Sequence, residues 1–187
     1  MTRSTLSTLA IADNAITTAK LPADFSNGIT FYETMRLTSN LSAGTGGDIS
    51  GTFESADTGT PAKKLISSTG MSASSGIFTF PATGMYLLLT GVRYYADADI
   101  SYNAHTIKAS NDNFSSNDIE VAQVFSSWGK HEGSNNYEAM HCQYMLDCTN
   151  TSTHKFKMRY SSTGTITVAG NTDANETYVT VIRVGDT

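Results

Sequence analysis

The run from Gly84 to Tyr95, GMYLLLTGVRYY, constrains the fold of this chain most strongly, because it reads as a strand that is apolar on both faces. Side chains alternate between the two faces of a strand, so even and odd positions separate. The even positions suit a sandwich core: Tyr86, Leu88, Val92 and Tyr94. The odd positions then point outward: Met85, Leu87 and Leu89. Adjacent apolar side chains facing water are typical of a binding surface, although a single β-bulge would exchange the two faces.

Short strand patterns separated by turn-forming residues recur from Ile29 to Val184. The clearest is His154–Tyr160, in which apolar and basic residues alternate. Another run places three apolar residues on one face: Ile119, Val121 and Phe125. The sequence contains no convincing long amphipathic helix. Eight to ten such strands, roughly, predict an all-β fold, either a β-sandwich or a barrel.

A turn-flanking motif gives the chain a family resemblance. The residues Phe78-x-Phe80-Pro-x-x-Gly84-x-Tyr86 resemble the F-x-x-P-x-x-G-x-Y signature of tumour-necrosis-factor-like (TNF-like) jelly rolls, which include the globular heads of the complement C-one-q type. The ending Thr177–Gly185, TYVTVIRVG, resembles the last strand of that family, and Tyr137–Cys148 followed by His154–Tyr160 resembles the preceding strand pair. One departure is Cys148, which stands where the family commonly has Gly.

The resemblance implies a jelly-roll β-sandwich over residues 29–187 that assembles as a compact homotrimer, with Tyr178 matching an aromatic position near the trimer axis. The apolar odd face of Gly84–Tyr95 independently calls for a covering partner. Burial of each such side chain contributes on the order of 2 kcal/mol. We therefore predict a trimer interface at or near seven residues: Met85, Leu87, Leu89, Met140, Tyr144, Tyr178 and Ile182.

Residues 1–28 form a separate N-terminal segment in which apolar residues are spaced irregularly. One interpretation is a disordered or loosely docked tail. The other is an extended or partly helical anchor that docks on a virion through Leu6, Leu9, Ile11, Ile16 and Leu21. The stretch Asp13–Leu21, DNAITTAKL, resembles units near the N-termini and in the stalks of bacteriophage fibre proteins.

Composition narrows the possible partners. The net charge is −5 and only 16% of residues are charged, so we expect no nucleic-acid partner. No apolar span is long enough for a membrane helix, and the N-terminus lacks the apolar stretch of a signal peptide. Cys142 and Cys148 lie too far apart along an extended strand for a disulfide unless a hairpin intervenes. Free thiols fit synthesis in a reducing host cytoplasm.

The sequence contains no convincing pattern of catalytic or metal-binding residues, so we expect neither an enzyme nor a cofactor. The four histidines make no metal-binding or catalytic pattern: His105, His131, His141 and His154. The basic side chains Lys155, Lys157 and Arg159 read as one solvated strand face. Oxygen-rich stretches offer weak calcium candidates at Asp97, Asp99 and Asp173, with neighbours Asn171, Asn175 and Glu176, but neither stretch supplies the six to eight ligands that Ca²⁺ takes.

The leading hypothesis is a homotrimeric structural protein on a bacteriophage virion surface, either a capsid decoration or a short fibre. Its partners would be itself and a major capsid, tail or fibre protein. A second hypothesis is the tip of a tail fibre that binds a host-surface receptor or glycan, with Trp128 and Tyr137 as contacts, although a lone Trp is more often a packing residue. A third is a secreted cytokine-like trimeric ligand, which would call for a signal peptide or an anchor.

Overall fold

The computed structural model describes residues 29–42, 44–56, 65–67, 69–130 and 135–187. These parts of the chain contain strands and no helix, hence no helix long and apolar enough to cross a membrane. The strands are β1 Phe31–Leu37, β2 Leu41–Ser42, β3 Gly46–Asp48, β4 Phe53–Ser55, β5 Leu65–Ile66, β6 Ser72–Ser74, β7 Ile77–Thr79, β8 Gly84–Ala96, β9 Ile100–Ser110, β10 Ile119–Trp128, β11 Asn136–Cys148, β12 Lys155–Ser162, β13 Thr167–Val168 and β14 Tyr178–Gly185.

The strands form two antiparallel sheets packed face to face as a sandwich. Sheet A runs in the order β11-β8-β14-β1-β4, with β13 also on β8, β2 on β13, and β5 on β1. Sheet B runs in the order β10-β9-β12-β7-β6, with β3 also on β12. Within the described residues, β11 pairs only with β8 and β10 only with β9, so these two long strands are the neighbouring edges of the two sheets.

The core lies between the sheets, and the even positions of β8 enter it as their alternation predicts. Tyr86, Leu88, Val92 and Tyr94 are each at most 1% exposed. Aromatic rings fill the end of the core near β7. The rings of Phe78 and Phe156 stack with centroids 4.7 Å apart, and those of Phe80 and Tyr86 lie 4.5 Å apart. The expected β-sandwich is confirmed.

The Phe-Pro-x-x-Gly-x-Tyr motif turns the chain from sheet B to sheet A. The Tyr86 hydroxyl donates a hydrogen bond of 2.9 Å to the Ala82 carbonyl, which ties the strand back onto its own turn. Gly84 has a φ of 146°, and a Cβ there would lie 2.3 Å from Nε of Arg183. The motif therefore needs glycine because β14 passes directly against the start of β8.

Strand β10 differs from the sequence prediction. Ile119 pairs with Ala109 and Phe125 with Ala104, but a bulge lies between Glu120 and Ala122. The extra residue reverses the alternation, so Ile119 and Phe125 face opposite sides of sheet B. Phe125 therefore lies outside the core, with its ring 5.6 Å from that of Tyr102.

Two of the three cations of the basic stripe on β12 are buried rather than solvated, whereas the Arg159 side chain is 43% exposed. Lys155 and Lys157 are only 7% and 8% exposed. The Lys155 ammonium donates hydrogen bonds to the Thr79 hydroxyl at 2.9 Å and to the Thr151 carbonyl at 2.7 Å. The Lys157 ammonium contacts the carboxylates of Asp48 at 3.1 Å and Asp118 at 3.0 Å, and lies over the Phe114 ring. Carboxylates of the chain itself therefore neutralise Lys157, whereas Lys155 is held by neutral oxygen acceptors.

The two ends of the sandwich differ. Strand β1 starts beside the end of β14, with Phe31 paired to Arg183, and Arg183 reaches the Thr83 carbonyl before β8. We call this the proximal end, since residues 1–28 join the sandwich there through Ile29. The opposite, distal end contains the end of β8 and the start of β11.

Candidate functional site

The outward face of sheet A carries a row of apolar side chains across four strands. Leu87 of β8 pairs with Met145 of β11 on one side and with Ile182 of β14 on the other. Tyr32 of β1 continues the row beyond Ile182. Directly paired residues lie side by side on one face of a sheet, so these four form a continuous band that we call the apolar row. Met145 is 43% exposed although it belongs to a long strand.

The band becomes more polar toward the distal end. The next row contains Leu89 between Gln143 and Thr180. The row after that contains Gly91 between His141 and Tyr178, whose rings lie 6.4 Å apart. A Cβ on Gly91 would lie 2.5 Å from the Tyr178 ring and 3.0 Å from Nδ1 of His141. Glycine therefore lets these two side chains lean over the middle of β8.

A second apolar surface lies at the open edge of the sandwich. Between β10 and β11, a cavity of about 290 Å³ is lined by Ile119, Val121, Tyr144 and Leu146 together with polar neighbours. Ile119 is 55% exposed at its mouth. We call this the edge seam. It lies between two edge strands whose outer backbone groups have no described strand beside them, which is an arrangement that proteins normally cover.

Five of the seven predicted interface residues lie on the outward face of sheet A: Met85, Leu87, Leu89, Tyr178 and Ile182. The other two lie on the opposite face of β11. Met140 is 3% exposed and belongs to the core of the sandwich, and Tyr144 packs against that core at the edge seam. The residue of β11 that joins the apolar row is Met145. Since Met140 faces the core, the two-residue alternation of a strand places Met145 on the outward face.

Beneath the row of His141 and Tyr178, a second histidine is sealed in the sandwich. His105 is 0% exposed, and its Nε2 lies 2.7 Å from Oγ1 of Thr90 on the facing sheet. Burial lowers the pKa of His105 to about 4; a backbone hydrogen bond at Arg159 opposes this shift, and the nearby His141 adds to it. His105 is therefore a neutral, buried polar link between the sheets at neutral pH.

The two predicted receptor contacts have different surroundings. Trp128 ends β10 and packs partly buried against the core. Tyr137 is the second residue of β11 and is 55% exposed. Its ring stacks beneath the guanidinium of Arg93, whose Cζ lies 4.4 Å from the ring centroid. Tyr137 lines a polar cavity of about 290 Å³ at the distal end, together with Arg93 and Tyr95. Arg93 and Tyr95 were not predicted from the sequence as site residues. Both are odd positions of β8 beyond Leu89, so the same alternation places them on the outward face of sheet A.

Two of the three calcium candidates, Asp97 and Asp99, have carboxylates that contact Lys130. The Asp97 carboxylate lies 3.4 Å from Nζ of Lys130, and the Asp99 carboxylate accepts a hydrogen bond from the Lys130 backbone. Asp173 donates its backbone N–H to the Asn171 side chain. Among the described residues, no three His, Cys, Asp or Glu side chains are grouped as a metal site would require. Cys142 and Cys148 are both free thiols.

The predicted docking residues Leu6, Leu9, Ile11, Ile16 and Leu21 lie outside the described residues, as does the rest of the segment 1–28. His131 also lies outside them. The docking hypothesis therefore stays a prediction from the sequence.

Comparison with known proteins identifies the fold. No family model matches the chain, and no curated protein sequence matches it. Among solved structures, it is similar to the Eiger TNF of S. frugiperda, with a TM-score of 0.57 and 10% identity over 83% of this chain and 94% of that one. It is also similar to murine APRIL, with a TM-score of 0.56 and 8% identity over 82% of this chain and 98% of that one. Likeness at this identity concerns architecture alone: the chain folds as a TNF-like jelly roll.

Proposed function

We propose that this protein is a homotrimeric, non-enzymatic structural component of a bacteriophage virion, either a capsid decoration or a short fibre protein. The observation that carries the proposal is the apolar row of Leu87, Met145, Ile182 and Tyr32 on the outward face of sheet A. Such a band stays dry only when another protein surface covers it. A second copy of the same chain can cover the row without any other protein being invoked.

The positions of the two apolar surfaces favour a closed ring over a symmetric pair. The apolar row lies on the face of sheet A, whereas the edge seam lies between β10 and β11. A contact that joins two different patches is heterologous, and a heterologous contact closes into a ring when its rotation allows. In the proposed trimer, the edge seam of each subunit packs on the apolar row of the next.

The virion role rests on the N-terminal segment and on the direction of the sandwich. Asp13–Leu21 resembles bacteriophage fibre units, and residues 1–28 join the sandwich at its proximal end. A ring of three chains presents three such segments together, so weak individual contacts add through avidity. The distal end of each jelly roll then projects away from the particle. The protein is made in the host cytoplasm and acts on the virion surface.

Removal of residues 1–28 tests the docking claim. Labelled full-length protein and the truncated chain 29–187 are added to purified particles that lack the protein, and bound label is measured after sedimentation. We expect the full-length protein to bind and the truncated chain to lose at least about tenfold in apparent affinity, since three anchors are removed at once.

Both proteins must give the same oligomer mass for this comparison to concern docking rather than assembly. Equal binding by the two proteins would place the docking surface on the jelly roll and overturn the anchor role of residues 1–28.

A further inference from the structure

A polar groove lies at the distal end of the outward face of sheet A. Its base is formed by Arg93 and Tyr95 at the end of β8, and Tyr137 at the start of β11 forms one wall. Asn40, Asn135 and Glu176 complete the lining from three separate loops. We call this the distal groove, and its volume is about 290 Å³. With Ala169, seven residues from distant parts of the sequence converge on one concave surface.

The side chains of the distal groove are held in place by one another. The Asn40 amide donates a hydrogen bond of 3.1 Å to the Tyr95 hydroxyl, and its carbonyl accepts one of 3.0 Å from the Gly170 backbone. Arg93 donates to Glu176 at 2.8 Å while its guanidinium lies over the Tyr137 ring. A site ordered before binding loses little conformational entropy when a ligand arrives.

This order does not serve the core. Tyr137 is 55% exposed, and Arg93 and Glu176 form an ion pair whose side chains are 38% and 22% exposed. Ion pairs exposed to this degree contribute little to folding. The groove therefore holds polar side chains in a fixed, water-accessible arrangement that contributes little to the free energy of folding.

The chemistry of the lining selects a class of ligand. The charges of Arg93 and Glu176 compensate each other, so the groove does not favour a polyanion. Apolar lining is scarce, so a lipid chain finds little surface. The amides of Asn40 and Asn135 offer donors and acceptors close together, and Tyr95 and Tyr137 add ring surface beside hydroxyl groups. A ligand that matches this combination carries hydroxyl groups, which both donate and accept hydrogen bonds, on a ring whose faces present C–H groups.

We propose that the distal groove binds a neutral saccharide. The side of the exposed Tyr137 ring that the Arg93 guanidinium does not cover packs against the C–H face of one sugar residue, and the Tyr95 ring, 5.4 Å away, supports Tyr137. Arg93, Glu176 and the two amides bind the hydroxyl groups of the sugar. The groove belongs to a single subunit, so this binding requires neither the virion role nor the trimer. If the proximal end is docked on a particle, however, the groove faces outward toward a cell surface.

A glycan array followed by titration calorimetry tests the proposal. Full-length protein is applied to an array of neutral hexose and N-acetylhexosamine oligosaccharides printed beside their sialylated and sulfated counterparts. The strongest neutral oligosaccharide is then titrated into the wild-type protein and three variants. Tyr137→Ala removes ring surface, Glu176→Gln removes the charge that holds Arg93, and Tyr102→Ala is the control, since Tyr102 is a 37% exposed tyrosine outside the groove.

We expect neutral oligosaccharides to bind, Tyr137→Ala and Glu176→Gln to weaken binding by about tenfold or more, and Tyr102→Ala to bind as wild type does. Circular dichroism and light scattering establish that each variant keeps its fold and mass. Binding confined to sialylated or sulfated glycans, no binding to the array, or a Tyr137→Ala variant that binds as tightly as wild type would each overturn the proposal. The truncated chain 29–187 should bind the same oligosaccharide, which separates this site from virion docking.

Discussion

At the scale of single residues, a two-residue hairpin shows how closely the backbone dictates the sequence. Ser74 and Ile77 pair across the turn between β6 and β7, and the two residues that connect them have positive φ values, 50° at Ser75 and 77° at Gly76. Two-residue hairpins favour turns with positive φ at both central positions, and Asn-Gly is their preferred sequence. A Cβ on Gly76 would also lie 2.4 Å from the Ile49 carbonyl oxygen.

Substitutions in this hairpin should act in opposite directions. We expect Gly76→Ala to lower the free energy of unfolding by roughly 1–3 kcal/mol, through strain and the clash with Ile49. Ser75→Asn should raise it by about 0.5 kcal/mol, since Asn accepts positive φ more readily than Ser. Denaturant unfolding at one fixed protein concentration measures both. A Gly76→Ala variant as stable as wild type would show that the turn is free to adopt another conformation.

His105 predicts how stability depends on pH. Its pKa in the folded protein is about 4, lowered mainly by burial, against about 6.5 in an unfolded chain. The unfolded state therefore takes up this proton first as the pH falls. Stability should fall between about pH 6.5 and pH 4, by up to roughly 3 kcal/mol, and this contribution should be constant at higher pH.

His105→Gln keeps a polar group beside Thr90 and removes the titration. We expect its unfolding free energy to vary less between pH 7 and pH 4 than that of wild type, as measured by denaturant unfolding at several pH values. Identical slopes for His105→Gln and wild type would assign the pH dependence to other groups.

At the scale of secondary-structure elements, β8 was predictable and β10 was not. In β8, even and odd positions separate as a plain two-residue period requires, and Leu88 is 0% exposed while Leu87 faces outward. In β10, one bulge after Glu120 shifts the period, and nothing in the local sequence announces it. Strands β3 and β6 escaped prediction because they are three residues long and mostly small or polar, so only their partner strands define them.

The two adjacent leucines of β8 should respond differently to substitution. Leu88→Ala leaves a hole in the core of each subunit and should lower the unfolding free energy by roughly 2–5 kcal/mol. Leu87→Asp places a charge in the apolar row, so it should abolish the oligomer while each subunit keeps its β-sheet spectrum. Light scattering and circular dichroism of the two variants measure these outcomes side by side. A Leu87→Asp protein with the wild-type mass would mean that the apolar row is not an interface.

At the scale of the whole molecule, the sequence predicted the sandwich but only part of the site. Met85, Leu87 and Leu89 were placed outward by their spacing alone, whereas the edge seam depends on β10 and β11 meeting as edges of different sheets. The distal groove unites Asn40, Arg93 and other residues from both halves of the chain. Such convergence follows from the jelly-roll connections, and no local pattern of residues encodes it.

The mass of the full-length protein in solution tests the account most directly. Light scattering coupled to size-exclusion chromatography, at micromolar concentration and neutral pH, should give three times the 20.0 kDa mass of one chain. Hydrogen exchange in the same sample should show β8 and the edge strands β10 and β11 protected, since the proposed trimer packs the edge seam of one chain on the apolar row of the next. A mass equal to one chain, with β10 and β11 exchanging rapidly, would contradict the homotrimer and the function proposed from it.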